Sequence, residues 1–264
     1  KPTDSSGSKG VSVIDRVDED SLERALTFAR SFSRNGTLVL EEYIRSSFPR
    51  VVGGDVFVVG GEVRFWGLMS CLRDESLGGL VPVGERWPSG LSAAQDAAVR
   101  GQVQALVTSL GIRFGEFNVE VIVGEGDTPY FLELGARAGG NMIPVQLSDI
   151  SGVDLVEANV RCAMGDFSQD VSFDGASAEG AYATYVVHAN RPGTYGGLSL
   201  SAELEPHVYR SVMYVEEGDE VSALDGANKA LGILFLRFDG VRQMEELLGA
   251  ASRHVRVVYG GEGA

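Results

Sequence analysis

The chain has 264 residues, of which 22 are basic and 37 acidic, and its net charge of −15 argues against a protein that coats nucleic acid or an anionic membrane, because phosphate binding relies on excess Lys and Arg. Hydrophobic residues make up 44% of it, which is ordinary globular usage and excludes bulk disorder. Two cysteines cannot form a disulfide framework, and no apolar run is long enough to span a bilayer, so the cytoplasm is the expected compartment.

Hydrophobic periodicity and turn residues predict an α+β chain built around an antiparallel sheet. The first half is expected to contain strand 11–14, a helix with its N-cap at Asp20 or Ser21, buried strand 37–40 continuing into 41–44, strands 55–59 and 63–72, a long loop at 73–91 and a helix over 92–110. The second half is expected to contain hairpin strands 114–123 and 129–134, a glycine-rich loop at 135–141, a helix over 154–163, strands 181–188, 208–215 and 232–238, a helix over 241–251 and strand 255–259. The segment 191–197 is expected to be a turn-rich loop, and 166–178 is the best internal boundary.

The hairpin at 114–134 carries the sharpest local pattern. A turn centred between Gly126 and Asp127 makes the numbers of facing residues sum to 253, so that Glu120 faces Glu133. Because side chains alternate along a strand, one face of the hairpin is polar and the other is apolar. The apolar face is expected to carry Phe117, Val119, Val121, Leu132 and Leu134.

The polar face of this hairpin suggests a metal site. The same register places Asn118 opposite Gly135 and Glu116 opposite Arg137. Two glutamates directly opposite each other are destabilising unless a cation lies between them, and Mg²⁺ is commonly held by one or two carboxylates plus phosphate oxygens. Arg137 is then well placed to bind phosphate or an acyl phosphate. A solvated sheet face, on which the like charges splay into water, is the alternative.

The first ten residues form a Ser/Gly-rich segment ahead of the predicted strand 11–14. Its backbone amides and hydroxyl groups are donors that suit phosphate oxygens. The segment is not a Walker A motif, because the spacing differs and a strand follows where that motif needs a helix. A flexible hairpin loop is the alternative, although Lys1 and Lys9, in a lysine-poor chain, favour the phosphate site.

These pieces occur in the order found in the ATP-grasp superfamily, and the chain resembles its carboxylate–amine ligases, such as L-amino acid and dipeptide ligases. The resemblance covers roughly residues 1–165 and rests on Lys1 with the loop to Gly10, Glu41-Glu42-Tyr43-Ile44, Asn118-Val119-Glu120, Glu133-Leu134-Gly135-Ala136-Arg137, Gly139-Gly140-Asn141, Gly152-Val153-Asp154-Leu155 and Ala163-Met164-Gly165. It implies the ATP-grasp fold, with an antiparallel sheet lobe and part of a small α+β lid lobe.

The resemblance also implies a domain organisation. Residues 1–36 would be a truncated part of the small lobe, 37–176 the nucleotide- and metal-binding lobe, and 177–264 a C-terminal α+β subdomain. An α/β domain normally precedes these segments in such ligases, and it is expected to be missing from this chain.

Roles for single residues follow from the resemblance as well. The residues implied in ATP binding are Lys1, Ser5, Ser6, Gly7, Ser8, Lys9, Glu41, Glu42, Tyr43 and Ile44. Glu120 and Glu133 resemble the ligands of Mg²⁺, with Mn²⁺ as an alternative metal, and Arg137 resembles the arginine that steadies the transferred phosphate. Many members have a further metal-binding Asn where this chain has Gly135. Asn141 or Asn118 could supply the missing oxygen, or the site holds fewer protein ligands; Asn141 is therefore a candidate catalytic residue beside Arg137.

The implied reaction converts a carboxylate into an acyl phosphate with ATP, after which an amine displaces phosphate to give an amide or peptide bond. The expected partners are small carboxylates and amines, amino acids foremost, with a homodimer as one option and neither nucleic acid nor membrane as a partner. Two alternatives stay open: a non-catalytic ATP-binding module, suggested by Gly135, and an enzyme of the biotin carboxylase or purine-pathway type.

Overall fold

The computed structural model describes residues 1–5, 7–73, 82–168, 170–176, 178–224 and 229–261. Its helices are α1 Glu19–Phe32, α2 Ala93–Ser109, α3 Ile143–Ser151, α4 Leu155–Ala163, α5 Val241–Leu248 and α6 Ala251–His254. Its strands are β1 Val52–Val59, β2 Glu62–Arg73, β3 Pro82–Trp87, β4 Phe114–Val123, β5 Pro129–Gly135, β6 Ala181–Val187, β7 Gly193–Leu200, β8 Val208–Met213, β9 Glu220–Val221, β10 Gly232–Phe238 and β11 Val255–Tyr259. No helix among the described residues is long and apolar enough to cross a membrane. Ser6, one of the predicted ATP-binding residues, lies outside the described residues.

An antiparallel sheet of eight strands, in the order β5-β4-β1-β2-β3-β6-β10-β8, forms the body of the molecule. Three further strands, β11-β7-β9, form a second sheet. The large sheet runs across the predicted boundary at 166–178, because β3 pairs with β6. The division into three segments remains a prediction, and any subdomain after residue 177 shares this sheet with the preceding lobe.

Helices cover both faces of the large sheet. On one face Val99 and Val103 of α2 are buried against Val52 and Val56 of β1. On the other face α3 and α4 pack over β1 and β2, with Leu147 of α3 in one cluster with Phe65. At the far end, α5 and the small sheet share a third cluster with β6 and β10. Burial of such side chains stabilises the fold by about 1.5–3 kcal/mol each, and it fixes the sheet that carries the site.

The first 47 residues contain α1 but not the strands that the pattern predicts. Residues 11–14 form no strand, and only a short ladder forms near 37–40, where Val39 N donates to Lys1 O at 2.9 Å. A regular strand needs a partner along its length, and the described residues offer one only at 1–3. The expected buried strand is therefore wrong, and Leu40 is 83% exposed.

Glycines explain two strands that the pattern misses. The predicted loops at 73–91 and 191–197 contain β3 and the start of β7. A Cβ at Gly84 in β3 would lie 2.0 Å from Thr184 O, and one at Gly196 in β7 would lie 3.0 Å from Gly260 N. These glycines permit close approach of neighbouring backbones, although in the sequence they read as turn signals.

Two helical predictions also need correction. Helix α1 begins after Asp18, whose side chain accepts from Ser21 N in a capping box, and not after Asp20 or Ser21. Helix α3 lies directly after the glycine-rich loop, where no helix was expected. It follows two residues in the left-handed region and has no side-chain N-cap, so the usual start signals are absent.

Candidate active site

The β4–β5 hairpin pairs Glu120 directly with Glu133, as the sequence predicts. Nearer the turn, however, Val121 pairs with Phe131, so the facing numbers sum to 252, and a bulge at Glu120/Val121 restores the expected register. The bulge turns Leu132 outward, where it is 41% exposed, while Phe131 packs against the core in its place. The prediction that Leu132 faces the core is therefore wrong.

Arg137 lies beside the carboxylate pair, though not opposite Glu116. Strand β5 ends at Gly135, opposite Asn118 as predicted, and Glu116 pairs with Phe57 on β1 instead. The backbone carbonyl of Arg137 accepts from Asn118 N at 2.9 Å. The side-chain Nη2 of Arg137 lies 3.3 Å from Glu133 Oε1. This guanidinium also donates to Ala138 O at 2.9 Å, and because it is more than half exposed, an incoming anion can reach it.

The charges of the pair suit a divalent cation. Burial raises the pKa of Glu120, and the neighbouring charge of Glu133 raises that pKa further. No cluster of three or more His, Cys, Asp or Glu side chains forms a metal cage within the described residues. Two carboxylates with an arginine nearby fit Mg²⁺, which binds through few carboxylates together with waters and phosphate oxygens.

Two buried carboxylates that sequence reasoning missed lie on the same face of the large sheet as Glu120. Asp55 of β1 is paired with Asn118 and is wholly buried, and Glu85 of β3 is buried opposite Cys71. Glu85 Oε1 accepts from Cys71 Sγ at 3.2 Å, and burial raises the pKa of Glu85 to about 8. The available signal was a single acidic residue inside an otherwise apolar or glycine-rich strand, as in the residues around Asp55.

The glycine-rich loop closes over Asp55. Asp55 Oδ2 accepts from Gly139 N at 2.9 Å, and Asp55 Oδ1 accepts from Asn118 Nδ2 at 2.9 Å. The loop ends in Asn141 and Met142, with φ of 49° and 59°, directly before α3. Asn141 is half-buried there, and its proposed role in metal binding or catalysis remains a prediction.

The N-terminal loop brings several predicted ATP-binding residues together. Lys1 Nζ forms an ion pair with Glu41. Ser5 Oγ donates to Lys9 O at 2.8 Å, and Gly7 and Ser8 turn the chain with φ of 64° and 60°. Ser5, Gly7, Ser8 and Lys9 thus lie close together in a turn of the chain, and Lys1 lies beside Glu41.

Residues 41–47 lead from this lobe to the tip of the hairpin. Ile44 lies close to Gly124 and Ser47 N donates to Val123 O at 2.9 Å. Glu42 and Tyr43 are exposed, the latter by 64%. An extended connection at this place agrees with the hinge that the resemblance implies, and contact with adenine remains a prediction.

Solved structures of the same architecture decide the fold. An L-amino acid ligase from Bacillus licheniformis matches with a TM-score of 0.73 and 16% identity, over 92% of this chain and 61% of that one. A biotin carboxylase domain of Hydrogenobacter thermophilus 2-oxoglutarate carboxylase, crystallised with MgADP, ADP and bicarbonate, matches with a TM-score of 0.73 and 20% identity, over 98% and 56%. A phosphoribosylglycinamide synthetase from Anaerococcus prevotii matches with a TM-score of 0.62 and 17% identity, over 92% and 61%.

The chain has the ATP-grasp fold. The α+β ATP-grasp prediction is thereby confirmed. No protein-family model and no curated protein matches by sequence, and identities of 16–20% show the fold alone. This ATP-grasp chain spans 56–61% of the length of these three structures, so the activity of a whole enzyme is a matter of proposal.

Proposed function

We propose that the chain carries the nucleotide and metal site of an ATP-dependent carboxylate–amine ligase that forms an amide or peptide bond through an acyl phosphate. The observation that carries this proposal is the in-register pair of Glu120 and Glu133, with Arg137 at 3.3 Å from Glu133, on a sheet of the ATP-grasp fold. The substrates would be ATP, a small carboxylate and an amine, with amino acids foremost.

The carboxylate pair, the two basic residues and the N-terminal loop each have a task in this reaction. Glu120 and Glu133 would hold Mg²⁺, which neutralises the phosphate charge when bound. Arg137 binds the transferred phosphate, and its half-exposed guanidinium supports this role. Lys1 exchanges its ion pair with Glu41 for phosphate oxygens of ATP. The N-terminal loop covers the phosphates and limits hydrolysis of the acyl phosphate by water.

Replacement of one metal ligand tests the proposal. ADP release is measured with Mg²⁺, ATP and each common L-amino acid, with hydroxylamine added to trap an acyl phosphate as a hydroxamate. We expect Glu133→Gln to lower ADP release at least about 100-fold, because it removes one of two charged metal ligands. Hydrogen bonding can persist through the glutamine amide, so the fold should survive.

The matched control is Glu125→Gln, which removes the same charge from an exposed position at the tip of the same hairpin. Its ADP release should equal that of the unmodified chain. Full activity of Glu133→Gln would refute the metal assignment. ATP binding without ADP release from any carboxylate would refute the ligase and leave the non-catalytic binding module.

Bicarbonate is a second candidate for the phosphorylated acceptor. The chain matches a biotin carboxylase domain, crystallised with bicarbonate, with the same TM-score of 0.73 as the amino acid ligase. A parallel assay with bicarbonate as the only carboxyl donor separates the two. ADP release that requires bicarbonate would favour a carboxylase, whereas release that requires an amino acid favours the ligase.

A further inference from the structure

The buried Asp55 contacts the segment that carries Arg137 from beneath. One carboxylate oxygen accepts from Gly139 N at 2.9 Å, and the other accepts from Asn118 Nδ2 at 2.9 Å. The backbone amide of Asn118 in turn donates to Arg137 O at 2.9 Å. Residues 137–139 are thus hydrogen-bonded both to β1, through Asp55, and to β4, through Asn118.

The atoms packed around Gly139 leave no room for a side chain at this position. A Cβ on this residue would lie 2.7 Å from Asp55 Oδ1, 2.9 Å from Ile143 Cβ and 3.0 Å from Asn118 Nδ2. The loop also passes through left-handed Asn141 and Met142 before α3 begins. Non-glycine residues rarely adopt this conformation unless surrounding contacts impose it. The Asp55 tie is one such contact.

Burying the carboxylate of Asp55 beneath this loop costs free energy, because a charged group loses its hydration there. Asp55 is wholly buried, and its carboxyl group interacts with that of the neighbouring buried Glu116. Burial raises the pKa of both carboxyls, and in Glu116 the charge of Asp55 adds to the effect. The two hydrogen bonds from Gly139 N and Asn118 Nδ2 offset part of this cost, and they are what the carboxylate of Asp55 supplies to the loop.

We propose that Asp55 is a positioning residue that fixes the loop of residues 135–141 so that Arg137 meets the transferred phosphate. This inference rests on the proposed function. Asp55 itself touches neither substrate nor metal; it acts through Gly139 and Asn118. A displacement of about 1 Å in a positioned group can cost about 100-fold in rate, which sets the scale of the expected effect.

The test combines hydrogen exchange with kinetics on Asp55→Asn. Asparagine offers one acceptor oxygen in place of two, so Gly139 N or Asn118 Nδ2 loses its partner. We expect faster amide exchange confined to residues 135–141, kcat for ADP release about 10- to 100-fold lower, and a KM for ATP within about threefold of the unmodified value. A residue that only supported the fold would accelerate exchange throughout the sheet.

Glu116→Gln is the matched control, because it replaces the neighbouring buried carboxyl group with an amide of similar size and leaves both Asp55 and Gly139 in place. In this variant, amide exchange of residues 135–141 and kcat for ADP release should equal those of the unmodified chain. If Asp55→Asn does not fold, Gly139→Ala decides, since the added Cβ displaces the same loop while Asp55 is kept; it should reproduce the loss of kcat. Unmodified kcat in a folded Asp55→Asn or in Gly139→Ala would overturn the positioning role. An unmodified chain without ADP release would refute the proposed function alone, while the exchange of residues 135–141 would still support or overturn the tie.

Discussion

At the scale of single residues, Gly135 is the informative departure from the resemblance. It lies opposite Asn118 and two residues after Glu133, and its backbone is not in the left-handed region, so other residues can replace it. A Cβ there would lie 3.4 Å from Glu133 Oε1 and 3.5 Å from Arg137 Cζ. Both are ends of half-exposed side chains that can yield. A side-chain oxygen at this position would thus point into the proposed metal site.

We therefore expect Gly135→Asn to strengthen Mg²⁺ binding. One added oxygen ligand should lower the Mg²⁺ concentration for half-maximal ADP release by about tenfold, which corresponds to about 1.4 kcal/mol. A titration of ADP release with Mg²⁺ measures this change. Gly135→Ala adds the same Cβ without an oxygen and should leave the Mg²⁺ requirement unmodified. An equal gain from alanine and asparagine would show that the backbone, and not the ligand, sets the affinity.

At the scale of elements, the pairing of Glu120 with Glu133 in the β4–β5 hairpin was predictable because its turn and its alternating pattern are both local. The bulge at Glu120/Val121 was not, since nothing local in the sequence specifies an extra residue in one strand. Strands β3 and β7 escaped prediction because their glycines serve contacts with residues far along the chain, such as Thr184 and Gly260. Asp55 and Glu85 were missed because their partners lie on other strands. Long-range contacts thus account for most of what the sequence left open.

The β2–β3 pair carries a prediction on pH. Burial raises the pKa of Glu85 from its ordinary value of 4.5 to about 8, so the folded chain holds an additional proton between these values. The free energy of unfolding therefore falls as the pH rises from about 4.5 to about 8. Glu85→Gln keeps an oxygen that accepts from Cys71 but carries no charge. It should be more stable than the unmodified chain at pH 9 by about 1 kcal/mol or more, and similar at pH 4.5.

Urea unfolding at pH 4.5, 7 and 9 measures this difference. Glu125→Gln, at an exposed position, serves as the reference for removal of a charge that folding does not bury. If the free energies of unfolding of the unmodified chain and of Glu85→Gln differed by the same amount at all three pH values, the assignment of a protonated, buried Glu85 would be contradicted.

At the scale of the whole molecule, the large sheet joins residues on both sides of the predicted boundary. Arg86 and Trp87 of β3 pair with Ala183 and Tyr182 of β6. On α5, Glu245 Oε1 lies 2.9 Å from Arg50 Nη2 and 3.9 Å from the buried Arg86. Removal of the partner of a buried charge is strongly destabilising. The strands that carry Glu120 and Glu133 should therefore unfold together with the last 88 residues, 177–264.

Truncation tests this coupling. We expect the full chain to unfold in urea in one transition, reported equally by far-UV circular dichroism and by the fluorescence of Trp66 and Trp87. A chain ending at residue 176 should lose that cooperativity, because β3 becomes an open edge and Arg86 loses both its strand partner Ala183 and the carboxylate of Glu245. Two separate transitions in the full chain, or an unmodified transition after truncation, would instead establish 177–264 as an independent subdomain. In that case the pair of Glu120 and Glu133 would owe its rigidity to the strands within residues 52–135 alone.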